Sequence, residues 1–486
     1  MPDIKIVQGA KNNSIMLANY MIDHATIQGQ HFAYSEKEKM LYVYNGRIYE
    51  PFEDIDLDRF FREFMVQYQI TEIWKNSRLS EITRALKVSE SIPRVEMDNE
   101  GNKMCFKNGI LDLDTMDFVP HSPSYHFASY IDSDYLPEVG DNPKVFKEVL
   151  NKIFWKNTGD MGPDFETIKM IQRVGGALIF PKNKLKQLFI FLGGGANGKS
   201  MLFNVFSMFF PADRVTYMTL GDLSRKTCDR SGLFWSWLNI STEAKGETID
   251  SEEIKKIIYG EGIVYRKKFK DDMTLIPKTK CVVASNSRPY FNDTSYGLER
   301  RLTVISCNSR FVPLEMYKKI VNPDRSSVFL AEDDDALMDK LKAEAPQILN
   351  YFLVGLRELI ELGWQLPRSE NVERAKEEYV KENDTVGTWL RDNYEVDYDG
   401  FGVTVNEILA SYREWYYSNV STRALNFAVN TMGGRIKEIF RIEPVRILKN
   451  GSKITAYKLK KKYESIDDGG PVDEFVRGYT KRDTLF

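Results

Sequence analysis

The sequence is poor in cysteine and histidine, and it has no hydrophobic run long enough to cross a membrane. Its four histidines and four cysteines show neither the C-x₂-C nor the H-x₃-H spacing of a zinc site. No stretch of about 18 apolar residues occurs, and the first residues lack the charged and apolar regions of a signal peptide. We therefore expect a soluble intracellular protein without a disulfide framework, whose buried free thiols are Cys105, Cys228, Cys281 and Cys307.

Basic and acidic residues nearly balance over the whole chain, but the basic residues are unevenly distributed. The 67 lysines and arginines nearly balance the 70 aspartates and glutamates, and the net charge is −3. Between positions 435 and 463, however, ten basic residues stand against two glutamates. The 486 residues, 42% of them hydrophobic, suffice for the cores of about three domains.

A glycine-rich loop between a predicted strand and a predicted helix is the most informative segment. Residues 188–192 are apolar like a buried strand, residues 193–200 match G-x-x-x-x-G-K-[ST], and a stretch compatible with a helix follows. This order predicts a P-loop, and it disfavours a glycine-rich turn that merely ends a strand. The predicted nucleotide-binding residues are Gly193, Gly194, Gly195, Ala196, Asn197, Gly198, Lys199, Ser200 and Met201.

The residue types of this loop suit the binding of a nucleoside triphosphate. Glycines let the backbone wrap a phosphate and point N–H groups at it, and the N-terminus of the following helix adds a positive dipole. Lys199 is expected to reach the β- and γ-phosphates of ATP, and Ser200 to place its hydroxyl on Mg²⁺.

Two further predicted strands end in polar residues that could act on the same nucleotide. Residues 235–243 end in Glu243, our candidate for the carboxylate at the tip of the strand beside the P-loop, where it would order Mg²⁺ and polarise water. A second carboxylate usually stands directly before this one, but here Thr242 occupies that position. Asn286, after the strand at 279–285, could orient the attacking water. Arg300 and Arg301 offer guanidinium groups to the γ-phosphate of a neighbouring subunit, although adjacent arginines are more often surface charge.

A predicted hairpin between positions 263 and 277 carries a basic tip with one aromatic residue. Such a tip can grip a nucleic-acid backbone while the ring stacks on a base, and it can equally be a solvated turn. The residues concerned are Arg266, Lys267, Lys268, Phe269 and Lys270.

Two aspartates upstream of the P-loop allow two interpretations. Asp112 and Asp114 lie on one face of a predicted strand, the spacing with which primase and polymerase palms hold two metals. Residues 114–117 also have the composition of a solvated turn, which we favour because no second cluster of metal ligands occurs upstream.

The order of these motifs resembles the motor of superfamily 3 helicases, in the branch of phage and plasmid primases and the poxvirus primase-helicase. Residues 193–200, 238–243, 283–289 and 299–302, with the basic hairpin, fall on the Walker A, Walker B, sensor, arginine-finger and B′ motifs of that family. Residues 107–113 and 120–123 resemble its helper domain, which makes Asp112 and Asp114 helper-domain residues. Members with primase activity carry a polymerase-like domain ahead of the motor. Fewer than about 200 residues precede it here, so we expect no primase activity.

The C-terminal region reads as a winged helix. Three predicted helices, at 386–390, 405–416 and from 422 to about 432, are followed by a hairpin that turns at residues 450–451. The basic excess of this region fits phosphate binding, whereas a winged helix that docks a protein is the alternative. The candidate DNA-binding residues here are Arg435, Lys437, Lys449 and Lys453.

The expected fold class is α/β, with a P-loop, AAA+-like motor between an α+β and helical N-terminal region and a winged-helix domain. The expected domains are an α+β helper domain (1–140), a helical collar (141–185), the motor with a helical lid (186–365), a linker (366–384), a winged helix (385–463) and a disordered tail (464–486).

The resemblance implies a hexameric, ATP- and Mg²⁺-dependent DNA helicase that translocates 3′ to 5′ on single-stranded or forked DNA. It would act without a membrane, in the cytoplasm of a bacterial host or at a viral replication site, beside a separate primase, polymerase or single-strand-binding protein. Four alternatives stay open: an origin-binding initiator ATPase, a primase-helicase with a degenerate primase, a packaging motor and a nucleoside kinase. A packaging motor would require an acidic nuclease cluster, which the sequence lacks.

Overall fold

The chain has a mixed α/β fold and divides into two compact units, Met1–Tyr379 and Val380–Phe486. A computed structural model describes residues 3–156, 160–226, 228–242, 248–265, 273–291, 296–320, 327–419, 428–449 and 452–462. Among these residues, no helix combines the length and the apolar character that crossing a membrane requires.

The N-terminal part of the first unit packs helices against small antiparallel sheets. Helix α2 begins after Asn13, whose side chain accepts hydrogen bonds from the backbone N–H groups of Ile15 and Met16. Strands β1, β2 and β3 form one sheet, and β4, β5 and β6 form another. The elements are α1 (Ile4–Gly9), α2 (Ser14–Ile27), β1 (Phe32–Ser35), β2 (Met40–Tyr44), β3 (Tyr49–Pro51), α3 (Asp54–Gln67), α4 (Asn76–Val88), β4 (Lys103–Phe106), β5 (Gly109–Asp112) and β6 (Phe118–Val119).

The two aspartates considered as metal ligands form a turn. Asp112 ends β5 and makes an ion pair of 2.8 Å with Lys103, which lowers the pKa of its carboxyl. Its Oδ1 also accepts a hydrogen bond from the backbone N–H of Asp114, and Asp114 accepts one from Asn102. Both carboxylates therefore organise a hairpin connection, as the turn interpretation requires.

The rest of the first unit is built around one parallel sheet of five strands. In sequence, its elements are α5 (Lys144–Ile153), β7 (Trp155–Lys156), β8 (Gly162–Pro163), α6 (Phe165–Ile179), β9 (Leu188–Leu192), α7 (Lys199–Ser207), β10 (Val215–Thr216), α8 (Leu220–Ser224), β11 (Leu238–Thr242), β12 (Thr248–Ile249), α9 (Ser251–Tyr259), β13 (Ile263–Tyr265), β14 (Met273–Leu275), β15 (Lys280–Ser285), β16 (Tyr290–Phe291), α10 (Tyr296–Glu299), β17 (Leu302–Ser306), β18 (Arg310–Val312), α11 (Leu314–Tyr317), β19 (Val328–Leu330), α12 (Asp334–Ala343), α13 (Ala345–Glu361) and α14 (Glu370–Asn383).

The strand order of this sheet corrects one expectation. The order is β10-β11-β15-β9-β17, so the strand that precedes Glu243 is not beside the P-loop strand β9. Strand β15 lies between them, with Ala284 paired to Thr242 on one side and to Phe191 on the other. The position beside the P-loop therefore belongs to Asn286, because its strand inserts between two strands that precede it in sequence.

Both faces of the sheet are buried, as is usual for parallel strands. Phe189 and Phe191 of β9 face one hydrophobic core, with α6, α7 and α13, whereas Leu188 and Ile190 face a second core, with α8 and α9. This alternation explains why the P-loop strand reads as a continuous apolar run.

Helices α6 and α13 cross at very close range. A Cβ on Gly176 would lie 2.5 Å from the carbonyl oxygen of Phe352, and one on Gly355 would lie 2.5 Å from that of Gln172. Only glycine lets the two backbones approach in this way. Of the segment expected to form a lid, α13 is therefore a core helix, packed on the helix that leads into β9.

The second unit has the order of elements expected of a winged helix. Its third described helix runs from Val429 to Phe440, and the predicted start of that helix at residue 422 lies outside the described residues. The segment 366–384, predicted as a linker, contains α14, and the boundary between the two units falls within that helix. The elements are α15 (Thr385–Asn393), β20 (Tyr394–Val396), β21 (Val403–Thr404), α16 (Val405–Asn419), α17 (Val429–Phe440), β22 (Val445–Lys449), β23 (Ser452–Tyr457) and β24 (Leu459–Lys461). The predicted tail at 464–486 lies outside the described residues.

All four cysteines are free, and three of them are buried. Burial raises the pKa of Cys105, Cys281 and Cys307 to about 12, which keeps these thiols protonated. Cys228 is half-buried, contrary to expectation, because it follows α8 in an irregular segment near Asp222.

Candidate nucleotide-binding site

The loop at 193–200 joins the end of β9 to the start of α7, and its glycines occupy positions that other residues tolerate poorly. Gly195 and Gly198 have φ values of 94° and 82°, in the left-handed region. A Cβ on Gly193 would lie 2.0 Å from Nδ2 of Asn197 and 2.4 Å from the carbonyl oxygen of Cys307. These positions therefore require glycine, as a loop whose backbone wraps a phosphate would.

The Lys199 side chain is buried against this loop with its ammonium group held by oxygen atoms. Nζ donates to the carbonyl oxygen of Gly193 at 2.7 Å, to Oδ1 of Asn197 at 3.0 Å and to Oδ1 of Asn286 at 3.3 Å. Asn197 is itself fixed, because its Nδ2 donates to the carbonyl oxygen of Cys307. The structure thus brings together Lys199 and Asn286, which are 87 positions apart in the sequence.

A cavity of about 1080 Å³ opens over the loop and is large enough for a nucleotide. Seven of the predicted binding residues, Gly195 to Met201, line it together with Asn286 and Thr242. Gly193 and Gly194 belong to the loop without lining the cavity. Glu243, which follows Thr242, lies outside the described residues.

The opposite wall of the cavity comes from residues that sequence reasoning missed. Ile153, Phe311 and Met338 supply apolar surface, and residues 332–335 supply carboxylates at the start of α12. Asp333 caps that helix by accepting a hydrogen bond from the N–H of Ala336. A hydrogen bond from Lys340 holds the pKa of Glu332 below its usual value. No local motif joins these residues, because they come from three separate segments of the chain.

A metal ion at this site would depend on the nucleotide for most of its ligands. The described residues contain no cluster of three or more His, Cys, Asp or Glu side chains that could hold a metal. A P-loop magnesium ion needs little from the protein, since a serine hydroxyl and phosphate oxygens fill much of its shell. Ser200, exposed and lining the cavity, fits that arrangement.

Arg300 and Arg301 lie at the other end of the sheet. They directly precede β17, where Leu302 pairs with Leu188 at the start of β9, whereas the P-loop follows Leu192 at its end. Five strand residues separate the two ends, which is roughly 16 Å at ~3.3 Å per residue. The pair is therefore distant from the cavity of its own chain, and it lies beside Tyr259 instead.

The predicted basic hairpin is present as two antiparallel strands. Strand β13 pairs with β14 through Ile263 and Leu275. The tip, with Arg266, Lys267, Lys268, Phe269 and Lys270, lies outside the described residues.

Two of the four basic candidates in the second unit are engaged by carboxylates. Arg435, largely buried, makes ion pairs with Asp384 and Glu438. Lys437 pairs with Glu443 at 2.6 Å. Lys453 is exposed, and Lys449 ends strand β22. The guanidinium group of Arg435 is thus engaged by Asp384 and Glu438 within the second unit, and its contact with DNA stays a prediction.

We expect Arg435→Ala and Lys453→Ala to affect different properties. Arg435→Ala leaves the buried Asp384, which caps α15, without one partner, and should lower the free energy of unfolding by about 3 kcal/mol. Lys453→Ala should change stability by less than about 0.5 kcal/mol and should reduce the slope of log affinity for DNA against log salt by about 0.9. Urea denaturation followed by tryptophan fluorescence and DNA binding across a salt series measure the two effects. Equal stability of both variants would contradict the structural role of Arg435.

Two protein families match adjacent parts of the chain. Residues 15–155 match the family described as "D5 N terminal like". Residues 191–301, which include the P-loop, β15 and the arginine pair, match "Family of unknown function (DUF5906)".

Proteins of large viruses resemble most of the chain at low identity. A protein of African swine fever virus named "Putative primase" is 21% identical over 397 residues, covering 77% of this chain and 39% of that protein. A protein of Acanthamoeba polyphaga mimivirus named "Putative helicase" is 23% identical over 399 residues, covering 76% and 38%. This chain thus matches about two fifths of the length of these relatives.

The C-terminal region of NrS-1 in its apo form is a similar solved structure. It is 12% identical to this chain, with a TM-score of 0.47, and the match covers 91% of this chain and 98% of that one.

Proposed function

Because residues 15–155 and 191–301 match the families "D5 N terminal like" and DUF5906, and viral proteins named as primase or helicase resemble most of the chain, we propose that it is an ATP-driven DNA helicase of viral, phage or plasmid replication. In this proposal several copies of the chain form a ring around single-stranded DNA. The ring moves along that strand from 3′ to 5′ by hydrolysing ATP between its subunits.

The contact between Lys199 and Asn286 carries this proposal. It puts the cation of the P-loop and an amide at the tip of the neighbouring strand into one cavity, beside phosphate-binding backbone. A cation and a water-orienting amide are the two groups needed where a γ-phosphate is cleaved, because catalysis of phosphoryl transfer is mostly positioning and charge stabilisation. A nucleotide-binding fold that only stores ligand has no need of the second group.

The residues of the cavity divide the work on ATP. Loop N–H groups and Lys199 would hold the β- and γ-phosphates, and Asn286 would orient the attacking water. Ser200 and Glu243 would hold Mg²⁺, which neutralises phosphate charge when bound. The apolar wall with Ile153 and Phe311 would receive the base.

The position of the arginine pair supports assembly. Arg300 and Arg301 are too far from the cavity of their own chain to reach its γ-phosphate, so an arginine finger must come from another copy. A ring of copies in one repeated orientation meets this requirement, and a hexamer is the form that the family resemblance suggests.

The tip of the β13–β14 hairpin is proposed to contact DNA. Lys267 and Lys268 would bind phosphates of the translocated strand, with Phe269 available for stacking. The exposed Lys453 would add a contact in the second unit.

Strand displacement on a forked duplex tests the proposal. We expect the wild-type chain to separate the strands with ATP, and the Lys267→Ala/Lys268→Ala double variant to hydrolyse ATP while separating them at least about tenfold more slowly. The exposed pair Lys318 and Lys319, changed together to alanine, is the matched control and should unwind normally. ATP hydrolysis without strand separation at any protein concentration would refute the helicase and favour an initiator ATPase.

A further inference from the structure

Tyr259, the last residue of α9, is surrounded by three positive charges. The guanidinium carbon of Arg301 lies 3.7 Å from the centroid of its ring, and Nζ of Lys186 lies 5.0 Å from that centroid. Nη2 of Arg300 donates a hydrogen bond of 3.0 Å to the phenol oxygen. Gly260 follows in the left-handed conformation and ends the helix.

The charges in this cluster are not balanced by acids. Within the described ranges of the chain, none of the three cations makes an ion pair with a carboxylate. The hydrogen bond and charge of Arg301, with the charge of Arg300, lower the pKa of the Tyr259 phenol. A surface that holds three cations around one neutral ring is arranged to receive an anion.

The two arginines differ in how they are held. Arg301 is half-buried, with an Nε that has no hydrogen-bond partner, and its backbone carbonyl accepts from the N–H of Leu188 in the P-loop strand. Arg300 is exposed, and its side chain touches the phenol through a terminal nitrogen. Arg301 is thus fixed between the ring and β9, whereas Arg300 reaches outward from the same ring.

We infer that Tyr259 is a positioning residue that fixes Arg301 against its ring and presents Arg300 to the phosphates bound by a neighbouring subunit. The inference rests on the proposed function, and it assigns the arginine finger to Arg300. Arg301 and Lys186 supply supporting charge. The anion that the cluster receives is then the γ-phosphate of ATP on a second copy of the chain, since the cavity of the same chain is at the other end of the sheet.

Tyr259→Phe is the sharpest variant, because it keeps the ring under Arg301 and removes the phenol oxygen, which accepts hydrogen bonds from both Arg300 and Arg301. We expect kcat for DNA-stimulated ATP hydrolysis to fall about tenfold, with KM for ATP changed by less than about twofold. Tyr217→Phe, which removes the hydroxyl of an exposed tyrosine, is the control and should match the wild type. Arg300→Ala should lose about 100-fold or more in kcat, and Arg301→Ala should lose less.

Mixing variants separates a role in the neighbour's site from a structural role. Lys199→Ala subunits have no working P-loop but carry an intact Tyr259 and Arg300. Added in equal amount to Arg300→Ala subunits, they should restore roughly a quarter of the wild-type rate, because about one interface in four combines both intact halves. Mixing Lys199→Ala with Tyr259→Phe should likewise give a rate above the average of the rates of the two separate variants. A purely structural defect of Tyr259→Phe would give no such increase, because it would impair the ATP site of the same subunit.

Three results would overturn the inference while the proposed function stands. The first is wild-type kinetics for Tyr259→Phe. The second is that mixing with Lys199→Ala restores the rate of Arg301→Ala but not that of Arg300→Ala. The third is that Arg300→Ala loses DNA affinity and is not restored by mixing, which would make the cluster a DNA-phosphate site. Failure of the proposed function looks different, because the wild-type chain itself would then not separate strands.

Discussion

Lys199→Ala is expected to lower kcat for ATP hydrolysis by about 100- to 1000-fold and to abolish strand separation. Its ammonium group is the cation aimed at the phosphates, and removing one preorganised charge at a phosphoryl group costs about 3–4 kcal/mol of transition-state stabilisation. The group is already held at the loop by Gly193, Asn197 and Asn286, so the protein does not have to reorganise to use it. ATPase assays at saturating ATP and DNA measure the effect.

The control for this variant is Lys342→Ala, which removes an exposed lysine from α12 and should leave hydrolysis unchanged. Circular dichroism shows whether the Lys199 variant remains folded, since the buried acceptors of its ammonium lose a donor. Hydrolysis within about threefold of the wild-type rate by folded Lys199→Ala would contradict the assignment of the cavity as the ATP site.

The second large effect is expected at the crossing of α6 and α13. Gly176→Ala and Gly355→Ala should each lower the free energy of unfolding by about 3 kcal/mol, because the added methyl would meet backbone atoms at 2.5 Å and the helices must move apart. Chemical denaturation of both variants measures this loss. Their ATPase should fall as well, since α6 leads directly into the P-loop strand.

Gly9→Ala is the matched control, because a Cβ at Gly9 would have no atom within 4 Å. It should be neutral or stabilising by about 0.5 kcal/mol, since alanine reduces the freedom of the unfolded chain. Unchanged stability of Gly176→Ala would mean that the two helices do not cross at this distance.

Local sequence was sufficient for the elements that carry their own signal. The strand Leu188–Leu192 was predicted with its observed bounds, because five apolar residues are followed directly by glycines. The helix from Ser251 and its end at Gly260 were also predicted, since amphipathic spacing and a left-handed glycine are both local. The relation to viral helicase-type proteins, inferred from motif order, is confirmed by the family matches.

Tertiary relations were not available from the sequence. The insertion of β15 between β11 and β9 depends on how crossovers pack, so β11, the strand that leads to Glu243, was wrongly expected directly beside the P-loop strand. The engagement of Arg435 by Asp384 joins positions 51 residues apart, and its basic character alone suggested DNA.

The separation of the P-loop from the arginine pair makes each chain directional. Under the proposed function, one end of β9 offers a place for a nucleotide, and the other end offers the arginine that completes such a place on another molecule. A two-fold dimer could match both ends only if they lie in one contact surface, because such an interface pairs each end of one copy with the other end of its partner, whereas head-to-tail contact matches them and can be repeated without limit. Under the proposed function, only the rotation between successive copies then decides whether the series closes into a ring or grows as a filament.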